Sequence, residues 1–137
     1  IPIPKNDLQC MAENIYYESA TESYAGKLAV GHVVLNRIKT QGYPDTVCGV
    51  IYDGSQYGSC QFSWICDEKR KPIDKSSKFW NDSLHAAETI LSNKNSIDFT
   101  GGATSYHADY VRPDWSKSLQ FVAKIDRHLF YVPRKMS

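Results

Sequence analysis

Two glutamates stand four residues apart in the segment NIYYESATES, residues 14–23. Leu8, Met11 and Ile15 recur at helical spacing ahead of them, which predicts a helix with one apolar stripe. At about 100° per residue, Glu18 falls roughly 60° from Ile15, at the edge of that stripe. A half-buried carboxylate in a last helical turn has a raised pKa, because desolvation and the helix dipole disfavour its charge. Glu18 is therefore a candidate general acid at neutral pH.

The same pattern has a plainer interpretation, in which Glu18 is a solvated glutamate or pairs with a lysine. Ser19, Thr21 and Ser23 weaken a helix interior, so we expect the helix to end before Glu22. If the helix continued, Glu22 would fall near the centre of the apolar stripe. If both carboxylates face one cleft, the charge of Glu22 raises the pKa of Glu18 further.

The elements that position these side chains are predicted to be helices first and then a small sheet, an α+β arrangement. Besides the first helix, which asparagine or aspartate can cap, helices are predicted over residues 25–39 and 76–93. Serine caps are expected for both, at Ser23 and at Ser76 or Ser77. The fold would thus have about three main helices.

The remaining segments predict shorter elements and loops. Asp45 is expected to cap a short helix through Val50 and Ile51, and residues 53–75 are expected to be loop. DFTGGATSYHA, residues 98–108, is interpreted as strand, turn, strand.

Near the end of the chain, LQFVAKI and HLFYV flank Asp126 and Arg127. Aspartate tolerates left-handed geometry, so this pattern predicts a β-hairpin.

Size and charge limit the classes of function. The 137 residues predict a single domain, residues 1–137, large enough to bury a core. With 16 basic and 15 acidic residues the net charge is +1, which gives no electrostatic reason to expect nucleic acid or an anionic membrane as partner. The apolar runs are too short to span a bilayer.

Four cysteines, Cys10, Cys48, Cys60 and Cys66, lie in the first half of the chain. Their even number favours disulfides, although four cysteines allow three pairings. Cys60 and Cys66 bracket QFSWI, a span that a local bridge can close, which leaves Cys10 and Cys48 as the other pair. Free buried thiols and a metal site are the alternatives, but no CxxC or HxxxH spacing supports zinc. Disulfides would imply an oxidising compartment.

The histidines offer a competing chemistry. His107 follows GGATSY in a glycine-flanked extended segment, where backbone can approach a ligand closely. His32 and His85 lie in predicted helices and are interpreted as packing residues, and His128 is interpreted as structural. A metal site built from His107, Asp109 and His128 matches no strong ligand signature, so no metal or other cofactor is expected.

Five stretches carry a family resemblance. In order they are IYYESATESYAGKLAVGHVVLNRI, YPDTVCGVIYD, CQFSWICD, DFTGGATSYHA and IDRHLFYV. The chain resembles the bacterial and phage cell-wall hydrolases typified by the spore-cortex-lytic enzyme, which implies a peptidoglycan-cleaving domain with a lysozyme-like α+β fold. The family's single established acid falls on Glu18. Glu22 also matches a family glutamate, for which a structural hydrogen bond is expected rather than catalysis. Asp126 departs from the glycine that is usual in the family's hairpin.

The resemblance implies a substrate, the glycan strand of alternating N-acetylmuramic acid and N-acetylglucosamine. Protonated Glu18 would donate to the oxygen of the β-1,4 bond as an oxocarbenium-like state forms. Attack by the muramoyl 6-hydroxyl would give a 1,6-anhydro end, the lytic transglycosylase reaction, whereas attack by water would give a reducing end, the muramidase reaction. The resemblance favours the first. Gln61, Ser63, Tyr106 and His107, polar residues in the matched motifs, are predicted to hold the sugars.

Two other classes of protein stay open. A metal-dependent amidase would need histidine ligands, and a non-catalytic peptidoglycan-binding module would bind the cell wall without releasing soluble fragments. Each reading makes peptidoglycan the partner. The expected location is the periplasm or cell exterior, or, for a phage-encoded enzyme, delivery to the cell wall.

Overall fold

The computed structural model describes residue 3, residues 5–92 and residues 96–135. It confirms the α+β class with helices first and a small antiparallel sheet last. The helices are α1 (Asp7–Ser19), α2 (Tyr24–Ile38), α3 (Val47–Ile51), α4 (Ser63–Cys66) and α5 (Lys78–Ser92). Single 3-10 turns lie at Ser55–Tyr57 and Asp114–Ser118, and the strands are β1 (Ser105–Ala108), β2 (Leu119–Ile125) and β3 (His128–Pro133).

The three long helices begin where the capping pattern predicts. Asn6 accepts a hydrogen bond from the backbone of Gln9, and Ser23 accepts one from Gly26. The Ser77 hydroxyl accepts the amide of Trp80 at 3.1 Å, so Ser77 is the cap of α5. The predicted last residue of that helix, at position 93, lies outside the described residues.

Three local predictions were wrong. Thr46, not Asp45, caps α3, because its hydroxyl reaches the amide of Gly49. Residues 53–75 contain a 3-10 turn and the short α4. Residues 98–104 form no strand: Asp98 accepts hydrogen bonds from the amides of Thr100 and Gly102 and folds the segment into a turn.

The sheet has the strand order β1-β3-β2, with antiparallel pairs. The predicted hairpin is confirmed, and Asp126 in its turn has a φ of 51°. Tyr106 pairs with Phe130 and His107 with Leu129. Because neighbouring residues of a strand point to opposite faces, Tyr106 faces the helices and His107 faces away from them.

Both predicted disulfides are present, Cys10–Cys48 and Cys60–Cys66. The first joins α1 to α3, and the second closes a loop around α4. The α1–α5 pair and the α2–α5 pair complete the helical layer. A Cβ at Gly31 would overlap the Ile90 side chain, so this glycine permits the close approach of α2 and α5.

Asp126 ties the hairpin to the start of α2. Its carboxylate accepts the amide and hydroxyl of Ser23 at 2.8 and 2.6 Å. A Cβ at Gly26 would overlap the same carboxylate oxygen. Asp126 thus fixes the sheet beside the turn that follows α1. In the described ranges no helix combines the length and apolarity needed to cross a membrane.

Candidate active site

Glu18 is the penultimate residue of α1 and is half-buried. The hydroxyl of Tyr106, on β1, donates a hydrogen bond to its Oε1. Burial raises the pKa of Glu18, while the Tyr106 hydrogen bond and the charge of Arg37 act in the opposite direction and are outweighed. The raised pKa expected from the sequence is therefore present, with burial as its main cause.

Tyr106 is fixed as the donor in this pair. Burial first, and then the charge and hydrogen bond of Glu18, raise the pKa of Tyr106 well above its usual value. The phenol therefore stays protonated over the whole range in which Glu18 titrates. Its ring packs against Phe130 and against His128, at centroid distances of 5.4 and 5.0 Å, which fixes the direction of the hydroxyl.

Arg37, near the end of α2, completes the polar group around Glu18. Its Nε donates to the carbonyl of Thr104 at 2.7 Å. Its guanidinium carbon lies 5.1 Å from the ring centre of Tyr43 and 5.2 Å from that of Phe62. The sequence reasoning did not single out this residue. The available signal was an arginine in a helix predicted to be buried on most sides.

Two cavities flank the Glu18–Tyr106 hydrogen bond. One, of about 420 Å³, is lined by Glu18 together with Tyr17, Ser63 and other residues of α4 and the loop after it. The other, of about 340 Å³, is lined by Tyr106 and Arg37 with side chains from β1, the loop before α4 and the second 3-10 turn. The hydrogen bond between Tyr106 and Glu18 therefore links the linings of the two cavities.

Three of the four predicted sugar-binding residues lie in this region. Ser63 lines the Glu18 cavity, and Gln61 and Tyr106 line the other. His107 does not join them. It faces the opposite side of the sheet, where its Nε2 lies 2.8 Å from the Tyr131 hydroxyl and its Nδ1 lies 2.7 Å from the Ala108 carbonyl.

Trp64 is a core residue in this structure. It is 6 % exposed, its ring stacks on Tyr17 at 4.6 Å, and its indole N–H donates to Asn14 at 2.7 Å. Its position therefore favours a packing role over stacking on a ligand.

Glu22 follows α1 and faces His128 rather than Glu18. One of its carboxylate oxygens lies 3.7 Å from His128 Nδ1, and its backbone carbonyl accepts Lys27 Nζ at 2.6 Å. The groups that act on the pKa of Glu18 are Tyr106 and Arg37, so the condition for coupling two glutamates in one cleft is not met. Burial lowers the pKa of His128, although Glu22 opposes that effect.

The alternative metal site of His107, Asp109 and His128 is not assembled. His107 and His128 are on opposite faces of the sheet, as their pairing with Leu129 and Ala108 requires. Asp109 is bound to Arg127 at 3.0 Å. Within the described part of the chain, no group of three or more histidine, cysteine or acidic side chains is placed to hold a metal ion.

Asp67 is a carboxylate that the sequence reasoning missed. It lines the same cavity as Glu18, directly after the Cys60–Cys66 loop. It is exposed, and its Oδ1 accepts the amide of Lys69 at 2.9 Å. The signal was its position at the end of the motif CQFSWICD.

Comparison with known proteins identifies the class. The protein family described as Cell Wall Hydrolase matches residues 21–131, and the chain belongs to that family. The match begins three residues after Glu18 and includes Arg37, Asp67 and Tyr106.

The chain is similar to proteins named spore cortex-lytic enzyme. Those of Halalkalibacterium halodurans and Oceanobacillus iheyensis are 31% and 32% identical to it, over 91% and 92% of this chain. The chain spans 34% and 41% of the length of these two relatives.

Two solved structures have the same fold. The catalytic domain of the germination-specific lytic transglycosylase SleB from Bacillus anthracis is 28% identical, with a TM-score of 0.73 over 96% of this chain and 100% of that chain. The catalytic domain of the Bacillus cereus SleB protein is 26% identical, with a TM-score of 0.65 over 96% of this chain and 95% of that one.

Proposed function

We propose that this protein cleaves the β-1,4 bond between N-acetylmuramic acid and N-acetylglucosamine in peptidoglycan as a lytic transglycosylase, with Glu18 as its single acid and base. The observation that carries the proposal is the Glu18 carboxyl, which lines one cavity, accepts a hydrogen bond from Tyr106 in the lining of the second, and has its pKa raised by burial. Membership of the cell-wall hydrolase family and the likeness to the catalytic domain of a lytic transglycosylase support it.

The reaction needs one carboxyl group that gives a proton and then takes it back. Protonated Glu18 donates to the glycosidic oxygen while the bond to C1 breaks and positive charge develops on the sugar ring. The muramoyl 6-hydroxyl then attacks C1, and the Glu18 carboxylate accepts its proton, which leaves a 1,6-anhydro end. Tyr106 holds Oε1, so Oε2 is free to carry the proton.

The neighbours of Glu18 suit both halves of this cycle. After donation Glu18 is negative, and the Tyr106 hydroxyl and the charge of Arg37 stabilise it. Burial opposes that charge and favours return of the proton. Ser63 and Gln61, one in each cavity, are the proposed contacts for the sugars on either side of the cleaved bond.

Muramidase chemistry is the second candidate, and Asp67 is the observation that favours it. An inverting hydrolase uses a second carboxylate to activate water on the far side of the ring. Asp67 lines the Glu18 cavity and is exposed to solvent. Under hydrolysis Asp67→Asn would lose rate as severely as Glu18→Gln, whereas under the transglycosylase mechanism Asp67→Asn keeps most of its rate.

Mass spectrometry of digested, purified sacculi tests the proposal. Anhydro-muramoyl ends are expected, and they differ by one water from the reducing ends that hydrolysis gives. Reducing ends alone would replace transglycosylation by muramidase chemistry. Free peptides with intact glycan would indicate an amidase, and binding without soluble products would indicate a binding module. Because peptidoglycan lies outside the cytoplasm and two disulfides fit an oxidising compartment, the proposed site of action is the periplasm or cell exterior.

A further inference from the structure

Arg37 carries a buried positive charge that forms no ion pair among the described residues. The residue is 7 % exposed, and its Nη1 has no hydrogen-bond partner among the described residues. None of the ion pairs within those residues includes Arg37. Burying an unpaired cation destabilises a fold, because the loss of hydration is not offset. A buried donor without a partner therefore calls for a reason other than stability.

The surroundings of Arg37 hold its guanidinium in one orientation. The rings of Tyr43 and Phe62 contact the guanidinium, and Nε is occupied by the carbonyl of Thr104. Arg37 also lines the adjacent cavity, so an acceptor in that cavity can approach the guanidinium. A carboxylate is the acceptor that best suits a guanidinium, and a group fixed before binding loses little entropy when a ligand arrives.

The cavity beside Arg37 supplies further polar contacts. Gln61, Ser105 and Ser118 line it, and Tyr106 joins it to the acid because its hydroxyl binds Glu18. A ligand group held at Arg37 therefore belongs to a sugar unit next to the bond that Glu18 would cleave.

We propose that the Arg37 cavity binds a carboxylate of the muramoyl unit and thereby distinguishes muramic acid from glucosamine. The inference rests on the proposed peptidoglycan substrate. N-acetylmuramic acid differs from N-acetylglucosamine by a lactyl ether, whose carboxyl is free on strands stripped of peptide and amide-linked on intact strands. On intact strands the carboxylate at Arg37 comes from the stem peptide.

Titration of the wild-type protein with four small ligands tests directly whether it prefers a ligand that carries a carboxylate. The ligands are N-acetylmuramic acid, its methyl ester, N-acetylglucosamine and muramoyl dipeptide, whose only carboxylate lies on the peptide. By NMR, N-acetylmuramic acid is expected to bind about tenfold or more tightly than the ester or N-acetylglucosamine, since a hydrogen bond to a charged group is lost in both. If only the dipeptide binds tightly, the carboxylate at Arg37 belongs to the stem peptide. Equal affinity for all four ligands would overturn the proposal.

Two variants test whether Arg37 causes the preference for a carboxylate. Arg37→Gln removes the positive charge, so the preference for the acid over its ester is expected to fall to about onefold. Arg134→Gln, which removes an exposed guanidinium elsewhere, should bind all four ligands like the wild type. A preference that persists in a folded Arg37→Gln protein would overturn the assignment. If that variant does not fold, the ligand series on the wild type decides alone.

The proposed carboxylate site and the proposed catalytic role of Glu18 can be refuted independently of each other. Binding of these four ligands is measured without turnover, so it does not depend on Glu18 as the acid. A Glu18→Gln protein that still digests sacculi would defeat the catalytic proposal and leave the carboxylate preference standing. Loss of turnover in Glu18→Gln without any carboxylate preference would defeat only the Arg37 site.

Discussion

The substitution Glu18→Gln tests the acidic proton of this side chain separately from its packing. The amide has nearly the same shape, and its oxygen can still accept the hydroxyl of Tyr106, but it cannot act as an acid at neutral pH. Loss of general acid catalysis typically lowers the rate by about 10²–10⁴. That factor corresponds to roughly 3–5 kcal/mol of transition-state stabilisation.

The same substitution should stabilise the fold at neutral pH. Burial raises the pKa of Glu18 above its usual 4.5, so the folded protein binds this proton more tightly than the unfolded chain. The contribution of this proton to the free energy of unfolding is therefore fully present below pH 4.5 and is lost as the pH rises through the folded-state pKa. The loss is about 1.4 kcal/mol for each unit by which the folded-state pKa exceeds the unfolded-state pKa. Because glutamine does not ionise, the variant does not lose this stabilisation as the pH rises. The variant should melt above the wild type at pH 7, and the two should converge below pH 4.5.

The assay pairs turbidity clearing of purified sacculi with thermal melts across this pH range. Glu22→Gln is the matched control, because it makes the same chemical change one turn further on, at a side chain that contacts His128. The control should clear sacculi at close to the wild-type rate. A Glu18→Gln protein with near wild-type clearing would refute the acid role of Glu18. An unchanged melting temperature would refute the destabilisation of the fold by the buried Glu18 carboxylate. Equal loss of rate in both variants would refute a single acid.

Three further predictions concern the surroundings of the site. Tyr106→Phe removes a hydrogen bond that stabilises the Glu18 carboxylate, so the pKa of Glu18 should rise and the alkaline limb of the pH–rate profile should move to higher pH; a move to lower pH would contradict this. Replacing both Cys10 and Cys48 by serine should lower the free energy of unfolding by about 4 kcal/mol, from loop-closure entropy over a separation of 38 residues, measured by urea unfolding. Activity should survive prolonged EDTA treatment, and loss with recovery on added zinc would favour the amidase reading.

The parts of the fold that the sequence predicted depend on local signals. The α1 stripe, the serine caps at Ser23 and Ser77 and the hairpin around Asp126 each follow from residues within a few positions of one another. The Cys60–Cys66 bridge, with a separation of six residues, belongs to the same group. Confirmation of this bridge left a single partner for each remaining cysteine.

The parts that the sequence did not predict depend on distant contacts. Residues 98–104 looked extended, but Asp98 bonds the following amides and also accepts Asn36 from α2 at 2.9 Å. Tyr106 and Glu18 are 88 residues apart, so their hydrogen bond follows from the packing of the sheet against the helices. The family pattern suggested Tyr106 as a site residue without giving its partner. Strand alternation then separates it from His107, which the linear motif had grouped with it.

The separation between Arg37 and Glu18 affects the pKa of the proposed acid. No ion pair joins the two among the described residues, so the charge of Arg37 only partly opposes the effect of burial on the pKa of Glu18. A direct ion pair would have lowered that pKa and left no proton to donate. If a substrate carboxylate neutralises Arg37, this opposition weakens, and the pKa of Glu18 rises further in the complex. The alkaline pKa in the profile of kcat, which reports the complex, should then exceed that in the profile of kcat/KM, which reports the free enzyme. Arg37→Gln should narrow the gap, because it leaves no charge for the carboxylate to neutralise. Identical alkaline limbs in the wild-type profiles would show that substrate leaves the pKa of Glu18 unchanged.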